Sequence, residues 1–301
     1  AYTVREFQRL TNSMSSSKNQ LLKEIFSKKM ALCLSLGFAS GMPLFVVLTL
    51  LGAYLRKEGV NLKEIGLFSL IMIPYTWKFV WSPLVDRYNL FHLGRRRSWM
   101  LISQIAVFFS IFLLGQFSPK TSLSVIAVVS VILSFASATQ DIVIDAYRRE
   151  ILTDRELGLG TSLFITASRA SSLVPGGLSL VIAQFLSWSD VFFITAAFML
   201  PALVVTFFIK EPETINAPRN LRQAIIEPFR EFKDRCGLKS MFLIILFVFC
   251  YKLGDSMATA LATPFYIDLH YDLLTIGLVA KNAGLWSMLI GGILGGVIML
   301  K

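Results

Sequence analysis

Between Lys120 and Arg148 the chain carries two charged residues, Asp141 and Asp145, and everything else there is apolar or neutral. Written as a helix, that stretch exceeds the ~20 residues needed to cross hydrocarbon. The aspartates are four residues apart, so on a helix they share one face, one turn apart. A carboxylate at membrane depth is costly and needs a reason, by default a functional one. The stretch therefore demands lipid around it, and the rest of the chain must show the same.

It does. The 301 residues are 55% hydrophobic and 16% charged, against about 25% charged in ordinary soluble domains. The charges cluster between long apolar blocks. Eight spans follow, near 30–54, 65–85, 98–117, 122–147, 161–186, 191–209, 240–266 and 275–300. A β-barrel would show alternating segments of ~10 residues instead. The fold class is an all-α polytopic membrane protein. Gly37, Gly41 and Pro43 read as a helix break in the first span, of the kind tolerated where neighbours line a cavity. The closing GGILGG run in the last span suits close helix packing.

The net charge of +10 is a signature of topology rather than of nucleic acid. With the N-terminus in the cytoplasm, 21 Lys and Arg fall in inner segments and 4 in outer loops, as the positive-inside rule requires. Cys33, Cys236 and Cys250 suggest no disulfide framework. His92 and His270 stand in loops, and no metal-ligand cluster is expected. The first residues are polar, without a cleavable signal. Met14 reads as a more natural start than Ala1, which would make 1–13 extension or fragment sequence.

The segment 220–235, NLRQAIIEPFREFKDR, places Leu221, Ile225, Phe229 and Phe232 on one helical stripe, an interfacial amphipathic helix joining two bundles. A weak internal repeat supports two bundles: YLRKEGVNLKEIGL at 54–67 and YIDLHYDLLTIGL at 266–278, about 211 residues apart. Parallel repeats of a six-helix unit are the mark of the major facilitator architecture. The expected layout is a cytoplasmic segment 1–29, a six-helix bundle 30–209, a linker 210–239, and two helices of a second bundle at 240–301. On this reading the chain is a fragment or truncated form lacking helices 9–12.

The loop SPLVDRYNLFHLGRRR (82–97) fits pieces of the major facilitator signature Gly-x-x-x-Asp-Arg-x-Gly-Arg-Arg through Asp86, Arg87, Gly94, Arg95 and Arg96. Ser82 replaces its first glycine, and about five residues are inserted before Gly94. Together with GFASGMPLFVV (37–47), IGLFSL (65–70), KFVWSPLVDRY (78–88), SATQDIVIDAY (137–147) and YKLGDSMATAL (251–261), the chain resembles the AmpG-type muropeptide permeases. The acetyl-CoA transporter branch is a more distant relative. The resemblance implies an importer in the bacterial inner membrane that brings anhydro-muropeptides into the cytoplasm. It would be driven by the proton gradient, with no other cofactor. Its partners would be that small-molecule substrate and membrane lipid, with no nucleic acid and no required protein partner.

The intramembrane polar residues suit that class. Asp141, Asp145 and Asp255 are candidates for proton coupling, since a carboxylate out of bulk water can load and release a proton. Gln140, Arg169, Lys78, Lys252, Lys281 and Asn282 are candidates for substrate binding, Arg169 being best shaped for a bidentate carboxylate grip. Asp86, Arg87, Arg95 and Arg96 suit a gate at the inner face. Against these stands plain ion pairing, as between Lys252 and Asp255, or between Asp145 and Arg148 or Arg149. Three other readings compete: a transporter of acetyl-CoA or other anionic solutes, a non-transporting remnant or sensor, and an intramembrane aspartyl protease. The last would use Asp255 in Leu253-Gly254-Asp255, which matches only part of the needed motif.

Overall fold

A computed structural model of the chain describes residues 26–90, 93–212, 230–251 and 281–299. All regular structure among them is helical. The chain divides into two compact units, Ala1–Ile215 with Gly292–Lys301, and Asn216–Gly291. In the described residues five helices are long and apolar enough to cross a membrane: Lys28–Lys57, Arg95–Leu114, Pro119–Ile151, Asp154–Ile182 and Trp188–Phe208. These correspond to the first, third, fourth, fifth and sixth expected spans and are called spans 1, 3, 4, 5 and 6 below.

The second expected span, 65–85, is not one helix. It is a chain of short α and 3₁₀ pieces: Leu62–Leu67, Phe68–Met72, Ile73–Trp77, Lys78–Val80 and Ser82–Arg87. Pro74 and Pro83 each lie in the first turn of one of these pieces, where a missing backbone donor costs no helical bond. Hydropathy sees the apolar content and misses this. It is called span 2 below.

The expected break at Gly41–Pro43 is also absent. Span 1 runs as an α-helix through Lys28–Phe45, then loosens into a π turn at Val46–Leu50. The glycines serve packing instead. A Cβ on Gly37 would overlap the Phe164 carbonyl, and one on Gly41 the Ser168 carbonyl. Spans 1 and 5 thus touch backbone to backbone. Span 5 has its own π turn, Val174–Leu178, at Pro175. Gly176 there faces Thr49 in the π turn of span 1, at 3.6 Å from its would-be Cβ.

Span 5 begins at Asp154, earlier than the expected 161. Thr153 and Glu156 form a reciprocal capping box, which satisfies two orphan donors and starts the helix in polar sequence. Arg155 therefore lies on the helix rather than in a loop. At the opposite end of the bundle the Tyr54 hydroxyl donates to the Phe117 carbonyl at 2.7 Å. The Tyr54 ring packs on Trp188 and Phe192.

Two apolar clusters fill the first unit, one around Met42, Leu50, Ile111, Leu133 and Phe192, the other around Met30, Leu36, Met100, Ile144 and Leu159. Large apolar side chains such as Phe109, Val128, Ile132 and Phe208 point outward, as hydrocarbon permits. In the second unit residues 230–251 are helical, with a left-handed Gly237 at φ 74°. Glu231 and Arg235 pair at 2.8 Å on that helix. Of the expected amphipathic stripe, Leu221, Ile225 and Phe229 lie outside the described residues, as do 266–278 of the repeat. The last described helix is Lys281–Ile298.

Candidate functional site

Span 4 carries the two aspartates, and the structure separates them. Asp141 is half-buried and accepts a hydrogen bond from the Ser40 hydroxyl of span 1 at 2.6 Å. Lys78 of span 2 attracts its charge and Asp145 repels it. One turn away on span 4 stands Ser137, close to the buried hydroxyl of Tyr75 in span 2, which also senses Asp141. Nearby, the Trp81 indole N–H donates to the Thr139 hydroxyl at 3.1 Å, and its ring packs on Phe135 at 4.6 Å. Spans 1, 2 and 4 thus converge near one carboxylate, with the Ser40 hydroxyl bonded to it and the Lys78 charge felt by it. Such a group can hold a proton or receive a hydroxyl or cationic group of a solute.

Asp145 is exposed and pairs with Arg148 at 3.1 Å. The Arg148 guanidinium lies over the Phe164 ring at 4.3 Å. Arg149 turns instead to Asp154 at 2.7 Å. Gln140 is fully buried inside the bundle, and neither amide atom has a hydrogen-bond partner among the described residues. Arg169 is exposed near the end of the first helix of span 5, with no acidic partner among the described residues. Lys78 is half-buried and makes no ion pair at contact distance among them. Lys252 and Asp255 lie outside the described residues. Lys281 and Asn282 open the last described helix, and their side chains are likewise outside the description.

The candidate gate is more elaborate than its motif. The Arg96 side chain is buried between two carboxylates. Its Nη1 donates to Asp86 at 2.6 Å, and its Nε and Nη2 donate to one oxygen of Glu150 at 3.0 and 2.6 Å. Arg95 donates to the Asp86 carbonyl at 2.5 Å and lies 3.5 Å from Glu150. Arg87 stays out, its guanidinium over the Tyr88 ring at 5.2 Å. Beneath the cluster, Glu211 at the end of span 6 accepts the backbone N–H groups of Arg96 and Arg97 at 2.8 and 3.0 Å. A carboxylate there meets the orphan donors and positive dipole of the first turn of span 3. Gly94 makes room for it: its φ is 105°, and a Cβ would lie 2.5 Å from the Glu211 side chain. Tyr147 adds a bond to the Lys210 carbonyl at 3.2 Å.

Sequence reasoning missed Ser40, Tyr75, Thr139, Glu150 and Glu211. Ser40 meets Asp141 across 101 positions, and Glu211 meets Arg96 across 115. No local spacing marks such pairs. Glu150 carried a readable hint, since it ends the apolar run beside two arginines.

The sequence profile of the Major Facilitator Superfamily matches residues 33–301. An uncharacterised protein of Haemophilus influenzae is 44% identical over 286 residues, covering 94% of this chain and 67% of its own length. The anhydromuropeptide permease of Escherichia coli K12 is 38% identical over 286 residues, covering 94% of this chain and 58% of its own. A Rickettsia typhi protein provisionally named transporter AmpG 3 is 32% identical over 281 residues, covering 89% of this chain and 67% of its own. The chain therefore spans 58% of the permease's length and 67% of the other two. A permease and a transporter among the relatives set the protease reading aside. The profile, the relatives and the apolar helices together make this a multi-pass helical membrane protein. It belongs to the major facilitator superfamily, among the AmpG-type permeases.

Proposed function

We propose that this protein works in the proton-coupled import of anhydro-muropeptides across the bacterial cytoplasmic membrane, with its N-terminus on the cytoplasmic side. The observation that carries the coupling is Asp141, a half-buried carboxylate inside span 4, bonded to Ser40 and attracted by the charge of Lys78. Such a group changes charge on taking a proton, and the change alters what spans 1 and 2 hold against span 4. The substrate class draws its support from the name of the Escherichia coli relative. Arg169 and Lys78 supply cationic groups for substrate carboxylates, and Asp145 belongs with the Arg148 pair near the end of the span. Asp86, Arg95, Arg96 and Glu150 latch that end of the bundle shut. The proton gradient supplies the driving force and no cofactor is required.

The test is uptake of labelled anhydro-muropeptide into membrane vesicles holding the protein, with and without an imposed proton gradient. Accumulation that follows the gradient, and that Asp141→Asn reduces to background, supports the reading. Coupled uptake left intact in Asp141→Asn would overturn the proton site. Absence of any muropeptide uptake, while another anionic solute is carried, would overturn the substrate.

A further inference from the structure

Two primary amides lie in the apolar interior of the first unit, Gln104 on span 3 and Gln140 on span 4. Both residues are 0% exposed, and neither nitrogen nor oxygen of either has a hydrogen-bond partner among the described residues. A buried amide left unpaired is costly, so two in one helix pair need an account.

Their depth in the bundle links them. Spans 3 and 4 are joined by the short turn at 115–118 and run antiparallel. The Arg96–Glu150 pair at 2.6 Å fixes their register. From that pair, Gln104 lies eight residues along span 3 and Gln140 ten residues back along span 4. At 1.5 Å per residue these are displacements of about 12 and 15 Å. The two amides therefore reach the same depth. Each also falls on the buried stripe of its helix: Met100, Gln104, Val107 and Ile111 on one, Leu133, Ser137, Gln140 and Ile144 on the other.

We infer that Gln104 and Gln140 form a single buried polar site that binds water and joins span 3 to span 4 at the depth of Asp141. Each amide offers two donors and an acceptor. An enclosed water needs two to four polar partners, and two amides of this kind supply them. The site gives span 4 a polar anchor on its buried side, separate from the Ser40 bond to Asp141. It does not depend on what solute the protein carries.

The test uses the purified protein in detergent micelles. Gln104→Leu, Gln140→Leu and the double variant are melted beside the unaltered chain. If the amides share a site, each single change orphans the other amide, and Tm falls by about 2–4 °C per lost bond. The double change then lowers Tm by no more than one single change does. Additive shifts, or single changes that raise Tm, overturn the pairing. Hydroxyl-radical footprinting of the unaltered protein by X-ray radiolysis tests the water directly, and needs no variant to fold. Met100, one turn from Gln104, and Met42, in the other apolar cluster, are both 0% exposed. Oxidation of Met100 well above Met42 supports bound water, and equal oxidation of the two overturns it.

Discussion

Gly41→Ala and Gly52→Ala are the same substitution in the same membrane span, and they should act in opposite directions. Alanine favours a helix over glycine by up to about 1 kcal/mol. At Gly52 a Cβ meets nothing within 4 Å, so this gain stands alone. At Gly41 the new methyl overlaps the Ser168 carbonyl and lies 2.5 Å from the Ser168 hydroxyl and 2.6 Å from that of Ser171. A hydroxyl can rotate away, whereas a backbone carbonyl inside span 5 cannot. Relief requires spans 1 and 5 to part, which loosens the packing between them along the contact that Gly37 also makes. Overpacking of this kind costs about 1–3 kcal/mol, and a rigid partner puts it at the upper end. After the helix gain, the net loss is about 2 kcal/mol. For a chain of this size that is a fall in Tm of about 4–8 °C, against a rise of about 2–4 °C for Gly52→Ala. Thermal unfolding in detergent, followed by a thiol-reactive dye or tryptophan fluorescence, reads both. If Gly41→Ala melts at or above the unaltered protein, the backbone contact between spans 1 and 5 is not as described and the reasoning fails.

Arg96→Lys keeps the charge but has one nitrogen in place of the three that reach Asp86 and Glu150. It should cost about 1.5–3 kcal/mol, one charged hydrogen bond or more, and a drop in chemical-denaturation midpoint would show it. Gly94→Ala should force the φ of 105° onto a residue that resists it and push a methyl into the Glu211 carboxylate. Faster hydrogen exchange at the first-turn amides of Arg96 and Arg97 would report the lost grip, and unchanged exchange would contradict it. Thr153→Ala removes the capping box of span 5 at about 1 kcal/mol. Faster exchange should then be confined to residues near 154–157, whereas a change spread through the bundle would count against a local cap.

Much of the architecture was legible from spacing alone. Hydrocarbon thickness sets a minimum apolar length, so spans 1, 3, 4 and 6 announced themselves to within a few residues. The position of Asp141 inside such a run marked it as a functional candidate, and the Asp-Arg and Gly-Arg-Arg pieces of 82–97 marked the family. The errors at spans 2 and 5 share one cause. Hydropathy measures how much a segment prefers lipid, and backbone hydrogen bonding decides whether it is a helix. Span 2 is apolar enough, yet it is a run of short pieces with Pro74 and Pro83 in the first turns of two of them, while the polar start of span 5 is helical because Thr153 and Glu156 cap it.

The division between Asp141 and Asp145 shows what the sequence by itself determined and what it could not. Four-residue spacing placed both on one face of one helix, and that followed from helical period alone. Which of them meets a neighbouring span depended on how spans 1 and 2 lie against span 4. Gly37 and Gly41 bring span 1 tight against span 5, and Ser40, beside Gly41, reaches Asp141. Asp145 is left to the arginine one turn along. The same holds around Arg96, which the motif named but to which only the folded chain brought Glu150 and Glu211. Periodicity is a property of one segment, whereas a site is made where segments far apart in sequence are packed together.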